Sequence, residues 1–333
     1  MTVTHGIGQS AATPTKQVGL QLILEQHLAT VRAIFAKHRG ARWLTPVYQY
    51  IDANAGCGYN EDVGCIGSPL VFQSAVDRVA VSHYATLIEI DAGNTLLLRE
   101  TLGNYNHHQI ITGNNAEIVP DIVHRLPRNS YGVLYTDPNG IPDFEMLAGA
   151  ARDPKLRRVD ILIRCAASAV KRNLWQGEAR LLEHLSAINK QFWIVREPER
   201  SDKWQWTFLL GMNWDGLRVM ARHGFHYAHS DRGREILHRL NYTNDELAAM
   251  RQPSLFQADP PYATYDEYLQ HPQYRAIRAL AIRRSGGTCE RCHLRPVTET
   301  HHVKYPPWGE FDVPENLIAV CHQCHCEIHG KDN

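Results

Sequence analysis

The residues best equipped for chemistry crowd the stretch after His271. Cys289-Glu-Arg-Cys292 and Cys321-His-Gln-Cys324 form two C-x2-C knuckles separated by 28 residues. Thiolates paired in this way surround one zinc ion tetrahedrally at about 2.3 Å each and fold a segment too small to build its own apolar core. Cys57, Cys65 and Cys165 are scattered and Cys326 lies outside the knuckles, so structural zinc rather than a disulfide framework explains the spacing. Seven of the 19 histidines lie between His271 and His329, more than a structural zinc uses. His301 and His302 are adjacent on an apparent strand, Asn316 precedes the second knuckle, His325 follows its last cysteine, and His329 comes one turn later. A strand sends neighbouring side chains to opposite faces, so one of the two adjacent histidines can hold a metal while the other faces a water. Metal-assisted hydrolysis needs both jobs done, a base for the water and a cation against the charge that develops on the group attacked.

A second set follows the first predicted strand. Asp52-Ala-Asn-Ala-Gly56-Cys-Gly58 places two glycines where backbone can approach a ligand closely, and the set lacks the third glycine of a dinucleotide fingerprint. Glu89 ends the second predicted strand, Asn114 follows the third, and Asp137-Pro-Asn-Gly follows the fourth. Open α/β sheets bind ligands at the carboxyl ends of their strands.

The elements that must position these groups show a strand–helix rhythm. Apolar runs at Val47–Ile51, Ala85–Ile90, His108–Ile111, Gly132–Tyr135 and Val159–Ile163 alternate with helix-like stretches, which predicts a mostly parallel α/β sheet. Gln191–Arg196 and Gln205–Leu210 read as a closing hairpin. Residues 1–17 read as a flexible arm, 18–252 as the sheet domain opening on a helix from Val18, 253–270 as a Pro-containing linker, and 271–333 as the zinc-stapled domain. Asp-Pro-Pro-Tyr at 259–262 falls in the linker, away from strand four.

The C-terminal set resembles the HNH nuclease family, whose ββα fold clamps one divalent metal between a strand and a helix. The resemblance covers roughly Tyr265 to His329. It implies that His301 and His325 bind a catalytic Mg²⁺ or Mn²⁺, that His302 is the general base, and that Asn316 braces the loop and the base. It gives His329 either the metal or the phosphate. Arg275, Arg278, Arg283 and Arg284 make the preceding helix basic, a form that can track a DNA backbone. The N-terminal set resembles class I S-adenosylmethionine methyltransferases and, with Gly67-Ser-Pro-Leu and Arg157-Arg-Val-Asp-Ile-Leu-Ile, the three-Cys-motif partner family. That implies a Rossmann-like methyltransferase-type sheet whose S-adenosylmethionine contacts are Asp52, Gly56, Gly58, Glu89, Asn114 and Asp137. Asp137-Pro-Asn-Gly departs from the Asp-Pro-Pro-Tyr of base amino-methyltransferases, because the second proline and the ring that packs on a base are absent.

Composition sets the outer bounds. Lys plus Arg equals Asp plus Glu at 35 each, so nucleic-acid binding must come from local patches rather than from a basic body. No run approaches the roughly 18 apolar residues of a membrane span, and the first ten residues lack a signal peptide's basic and apolar regions, which makes a cytoplasmic protein the expectation. The expected function is a DNA endonuclease joined to an adenosyl-binding sheet, in restriction or anti-phage defence. With one motif per chain, double-strand breaks would need a dimer or two sequential nicks, and the expected partners are DNA and a homodimer or a partner protein. The alternative is a methyltransferase or nucleotide sensor whose zinc tail only binds nucleic acid.

Overall fold

The computed structural model describes residues 13–61, 64–103, 105–173, 177–201, 204–251, 262, 264–306 and 311–329. The chain divides into two compact units, Met1–Arg251 and Gln252–Asn333. Among the described residues no helix is long and apolar enough to cross a membrane.

In the first unit the strands are β1 (Tyr48–Asp52), β2 (Tyr59–Asn60), β3 (Cys65–Ile66), β4 (His83–Glu89), β5 (His108–Thr112), β6 (Tyr131–Thr136), β7 (Val159–Ala166), β8 (Phe192–Arg196), β9 (Glu199–Ser201), β10 (Trp204–Met212) and β11 (Phe225–Tyr227). The sheet runs β11-β8-β10-β7-β6-β1-β4-β5, with β9 paired to β10. Strands β5, β4, β1, β6 and β7 are mutually parallel, while β10 lies antiparallel between β7 and β8. This is a class I methyltransferase-type α/β sheet, with its order reversing at β1 and its ligand crevice expected there. All five residues of β1 are buried, as for a parallel strand covered on both faces. Tyr48 and Tyr50 point into one core with Leu20, Leu24, Leu28 and Phe72, and Ile51 joins the opposite core with Ile88, Leu134 and Leu147.

The helix Thr13–Lys37 lies on the first of these faces. His27 fixes it, with Nδ1 2.6 Å from the Tyr48 hydroxyl and Nε2 2.9 Å from Asp160 Oδ2. Trp214 Nε1 donates to the same carboxylate at 2.7 Å. The helix begins at Thr13 rather than Val18, so part of the expected arm is helical, and residues 1–12 lie outside the described residues. Thr13 and Pro14 are a helix-start signal in their own right, because proline at the first turn needs no amide partner.

In the second unit, helices Tyr265–Gln270 and Pro272–Arg284 precede β12 (Glu299–His302), β13 (Leu317–Val320) and the helix His322–Ile328. β12 and β13 are antiparallel, with His301 opposite Ile318 and His302 opposite Leu317. One small core holds Tyr262, Tyr268, Tyr274, Ala281 and Leu317. A second consists of Val320 and the three most buried knuckle cysteines. The expected linker is therefore corrected over 264–270, where Thr264 caps a helix whose Tyr268 is 2% exposed. Most of the Asp-Pro-Pro-Tyr segment lies outside the described residues.

Candidate functional site

The four knuckle cysteines meet. The Sγ atoms of Cys289, Cys292, Cys321 and Cys324 all lie within 4.8 Å of one another, with Cys292 and Cys321 at 3.9 Å. Bonds of 2.3 Å to a tetrahedral zinc require an S–S edge of about 3.8 Å, so the set fits that ion. Burial would raise the Cys289 thiol, but amides of Cys292, Cys321 and Arg291 outweigh it and bring it down to about 6, toward the thiolate a metal needs.

Beside this cluster, His301 of β12 and His325 and His329 of the last helix bring their ring nitrogens within 4.8 Å of each other. Helical spacing of four puts His325 and His329 on one face, with ring centroids 4.7 Å apart, and His301 lies 4.9 Å from His329. Burial, together with the neighbouring His329 and His325, lowers the His301 pKa and favours its neutral, ligating form. Glu299, two residues before His301 and so on the same strand face, holds His325 Nδ1 through Oε2 and His322 Nδ1 through Oε1, the latter at 2.5 Å. A carboxylate on one imidazole nitrogen fixes the ring and presents the other nitrogen, the usual outer support of a metal-binding histidine. The sequence reading missed Glu299, although its alternation with His301 was legible.

His302 faces different partners and is 7% exposed. Its Nε2 lies 2.7 Å from Asp312 Oδ2, an approach outside hydrogen-bonding angles. Asp312, 4% exposed, also accepts from Tyr268 Oη at 2.5 Å and from Asn316 Nδ2 at 3.2 Å. Asn316 thus reaches His302 through Asp312, while its carbonyl accepts from Val303 N at 2.8 Å and ties the turn after β12. Tyr305 stacks on the His302 ring at 4.6 Å and 16°.

The basic helix divides by partner. Arg284 donates to both Glu290 oxygens at 3.0 Å and to the carbonyls of Pro314 and Leu317 at 2.7 and 2.6 Å, which binds the helix to the knuckle and to β13. These bonds occupy Arg284 inside the unit, although its side chain is still exposed. Arg275 pairs with Gln270, Arg278 reaches the Thr298 carbonyl at 3.4 Å, and Arg283 is exposed.

In the first unit, Asp52, Glu89 and Asp137 stand at the carboxyl ends of the parallel strands β1, β4 and β6. Glu89 accepts from Gly56 N at 2.8 Å and Asp91 N at 2.9 Å, clamping the loop after β1 to the end of β4. Gly56 has φ +67° and open space where a Cβ would stand, leaving its backbone approachable. Gly58 is likewise left-handed, with φ +85°, and a Cβ there would also lie 2.9 Å from Leu98 Cδ1 and 3.1 Å from Thr101 Cγ2. Asn114 caps the helix Asn115–Arg125 by accepting from Ala116 N at 3.1 Å. Asp52 is fully buried, and burial lifts its carboxyl from 3.8 to about 6 against hydrogen bonds from Ser68, Asn54 and Tyr50. Burial pushes Asp137 the same way, but Lys16 at 2.6 Å and Arg164 at 3.4 Å hold it below the usual carboxylate range.

No family model matches the chain. A segment is 31% identical over 75 residues to the type IV methyl-directed restriction enzyme EcoKMcrA of Escherichia coli K12, covering 20% of this chain and 26% of that enzyme. Among solved structures, protein LPL1258 of Legionella pneumophila aligns at 11% identity and TM-score 0.41, over 60% of this chain and 89% of that one. M. jannaschii TYW2 in complex with AdoMet aligns at 12% identity and TM-score 0.37, over 61% and 76%. The fold class stands on strand order and direction, not on these superpositions.

Proposed function

We propose that the chain is a divalent-metal-dependent DNA endonuclease of the HNH type, joined to a sheet domain that binds S-adenosylmethionine or a related adenosyl ligand. The observation that carries this reading is the convergence of His301, His325 and His329 beside the four-cysteine cluster, with His302 next on the strand. Mg²⁺ or Mn²⁺ held by those three imidazoles would supply a counter-charge for the scissile phosphate. His302 takes the proton from the attacking water, the Asp312 carboxylate stabilises the imidazolium that results, and Asn316 steadies Asp312. Arg275, Arg278 and Arg283 follow the DNA backbone. The similarity to a restriction enzyme supports a role in restriction or anti-phage defence. With one such centre among the described residues, cutting both strands requires a homodimer, a partner protein or two successive nicks.

For the sheet domain, ligand sensing is favoured over base methylation, because Lys16 and Arg164 engage the carboxylate of Asp137 and no aromatic ring follows it at Gly140. The experiment is plasmid cleavage with Mg²⁺, Mn²⁺ or EDTA, with and without S-adenosylmethionine. Wild type should cut with metal, and His302→Ala should be slower by about 10²- to 10⁴-fold. Metal-independent cutting, or wild-type rates in that variant, would remove the assignment.

A further inference from the structure

We propose that Tyr305 and Tyr265 form a stacking platform for an unpaired nucleobase, so that the centre acts on single-stranded or locally opened DNA; this rests on the nuclease reading above. Both rings border His302. Tyr305 stacks on it at 4.6 Å with planes 16° apart, and Tyr265 lies 6.4 Å from it and 6.5 Å from Tyr305. The two remain 58% and 43% exposed. Each ring therefore has a side packed against the unit and a side open to solvent, and the stack on His302 holds Tyr305 in one orientation. Lys304, the residue before Tyr305, is also exposed.

A fixed, exposed tyrosine face is an element with which proteins hold single strands, because every base offers a π-face whatever its sequence. Bases inside a duplex are already stacked on their neighbours and offer no free face to such a ring. A platform adjoining the residue that handles the attacking water therefore serves a base outside the stack, and it sets the neighbouring phosphate against the centre. A docked protein segment would cover the same rings, and the experiment separates the two.

The test is binding, read without cleavage. The full zinc-loaded chain, with no divalent metal added, is titrated into a fluorescein-labelled 20-nucleotide single strand and into a hairpin duplex of the same sequence, and anisotropy is recorded. The strand should bind more tightly than the duplex. Tyr305→Ala and Tyr265→Ala should each weaken strand binding by about 5- to 150-fold, the effect of losing one base–ring stack. Duplex binding and zinc content should be unchanged, and Tyr305→Phe should restore strand binding. Equal or tighter binding of the duplex, wild-type strand binding in both alanine variants, or no binding of either DNA by wild type would overturn the platform. Tight strand binding by a wild type that never cuts would instead count against the nuclease reading and leave the platform standing.

Discussion

Asp52→Asn should stabilise the first unit at neutral pH, and the amount follows from where the carboxyl sits. Asp52 ends β1, is fully buried, and has its pKa raised from 3.8 to about 6 chiefly by burial. An unfolded chain releases this proton near 3.8, whereas the folded protein keeps it to about 6. The stability tied to that proton is complete below the lower value and is lost as pH rises through the upper one. A difference of about two units at about 1.4 kcal/mol each gives about 3 kcal/mol. Asparagine has the same shape and no charge to bury. The hydroxyls of Tyr50 and Ser68 can rotate to accept from its amide, so its hydrogen bonds can be kept. Urea unfolding of both proteins at pH 4, 5, 6, 7 and 8 isolates this group in the difference between the curves. The variant should gain on wild type by about 3 kcal/mol between pH 4 and 7.5 and no further above. A difference that stays flat with pH would show that Asp52 is not desolvated as described.

Replacing Cys289 or Cys321 by Ser should abolish tight zinc binding and unfold the second unit while the sheet's far-ultraviolet circular dichroism persists; elemental analysis of wild type showing no zinc would refute the four-thiolate site. Glu299→Gln should leave zinc in place but weaken Mn²⁺ binding, read by paramagnetic relaxation, by about 10- to 100-fold, the usual effect of losing a carboxylate behind a metal-binding histidine. Gly58→Val should destabilise the first unit by about 1–3 kcal/mol or more, because a β-branched residue is strained at φ +85° and its side chain overpacks against Leu98 and Thr101, measured by thermal melting without any ligand. Lys16→Ala should raise the acidity midpoint of Asp137 by removing its nearest cation, followed by carboxyl carbon NMR, and an unmoved midpoint would refute that ion pair.

Legibility followed physical range. The parallel strands were readable because strands of a covered sheet are rich in apolar, aromatic and β-branched residues, and the five sequence runs fall on β1, β4, β5, β6 and β7 within two residues at each end apart from the far end of β7. The knuckles and the His-His pair were readable because metal ligands close in sequence keep fixed spacings. Asp312 carried no local signal: its importance comes from Tyr268, 44 positions away, and from His302. Arg284 and Arg283 look alike in a basic run, and only the fold makes one a clamp and leaves the other at the surface. The segment after the sheet reads as a linker because of its prolines, yet its Tyr262 and Tyr268 sit in the second unit's small core.

Cys324 and His325 are consecutive, and the helix that carries His325 and leads to His329 is seven residues long. A helix that short does not persist in water by itself, since about 12–15 residues are marginal even for good sequences. Its start is fixed by Cys321 and Cys324, so the imidazoles have no common direction until those thiolates are gathered. The two metals would therefore load in a set order, zinc first and the second ion after it. On the nuclease reading proposed above, a cell short of zinc would make a chain with an intact sheet and three imidazoles not yet gathered, and cutting would wait for the first metal.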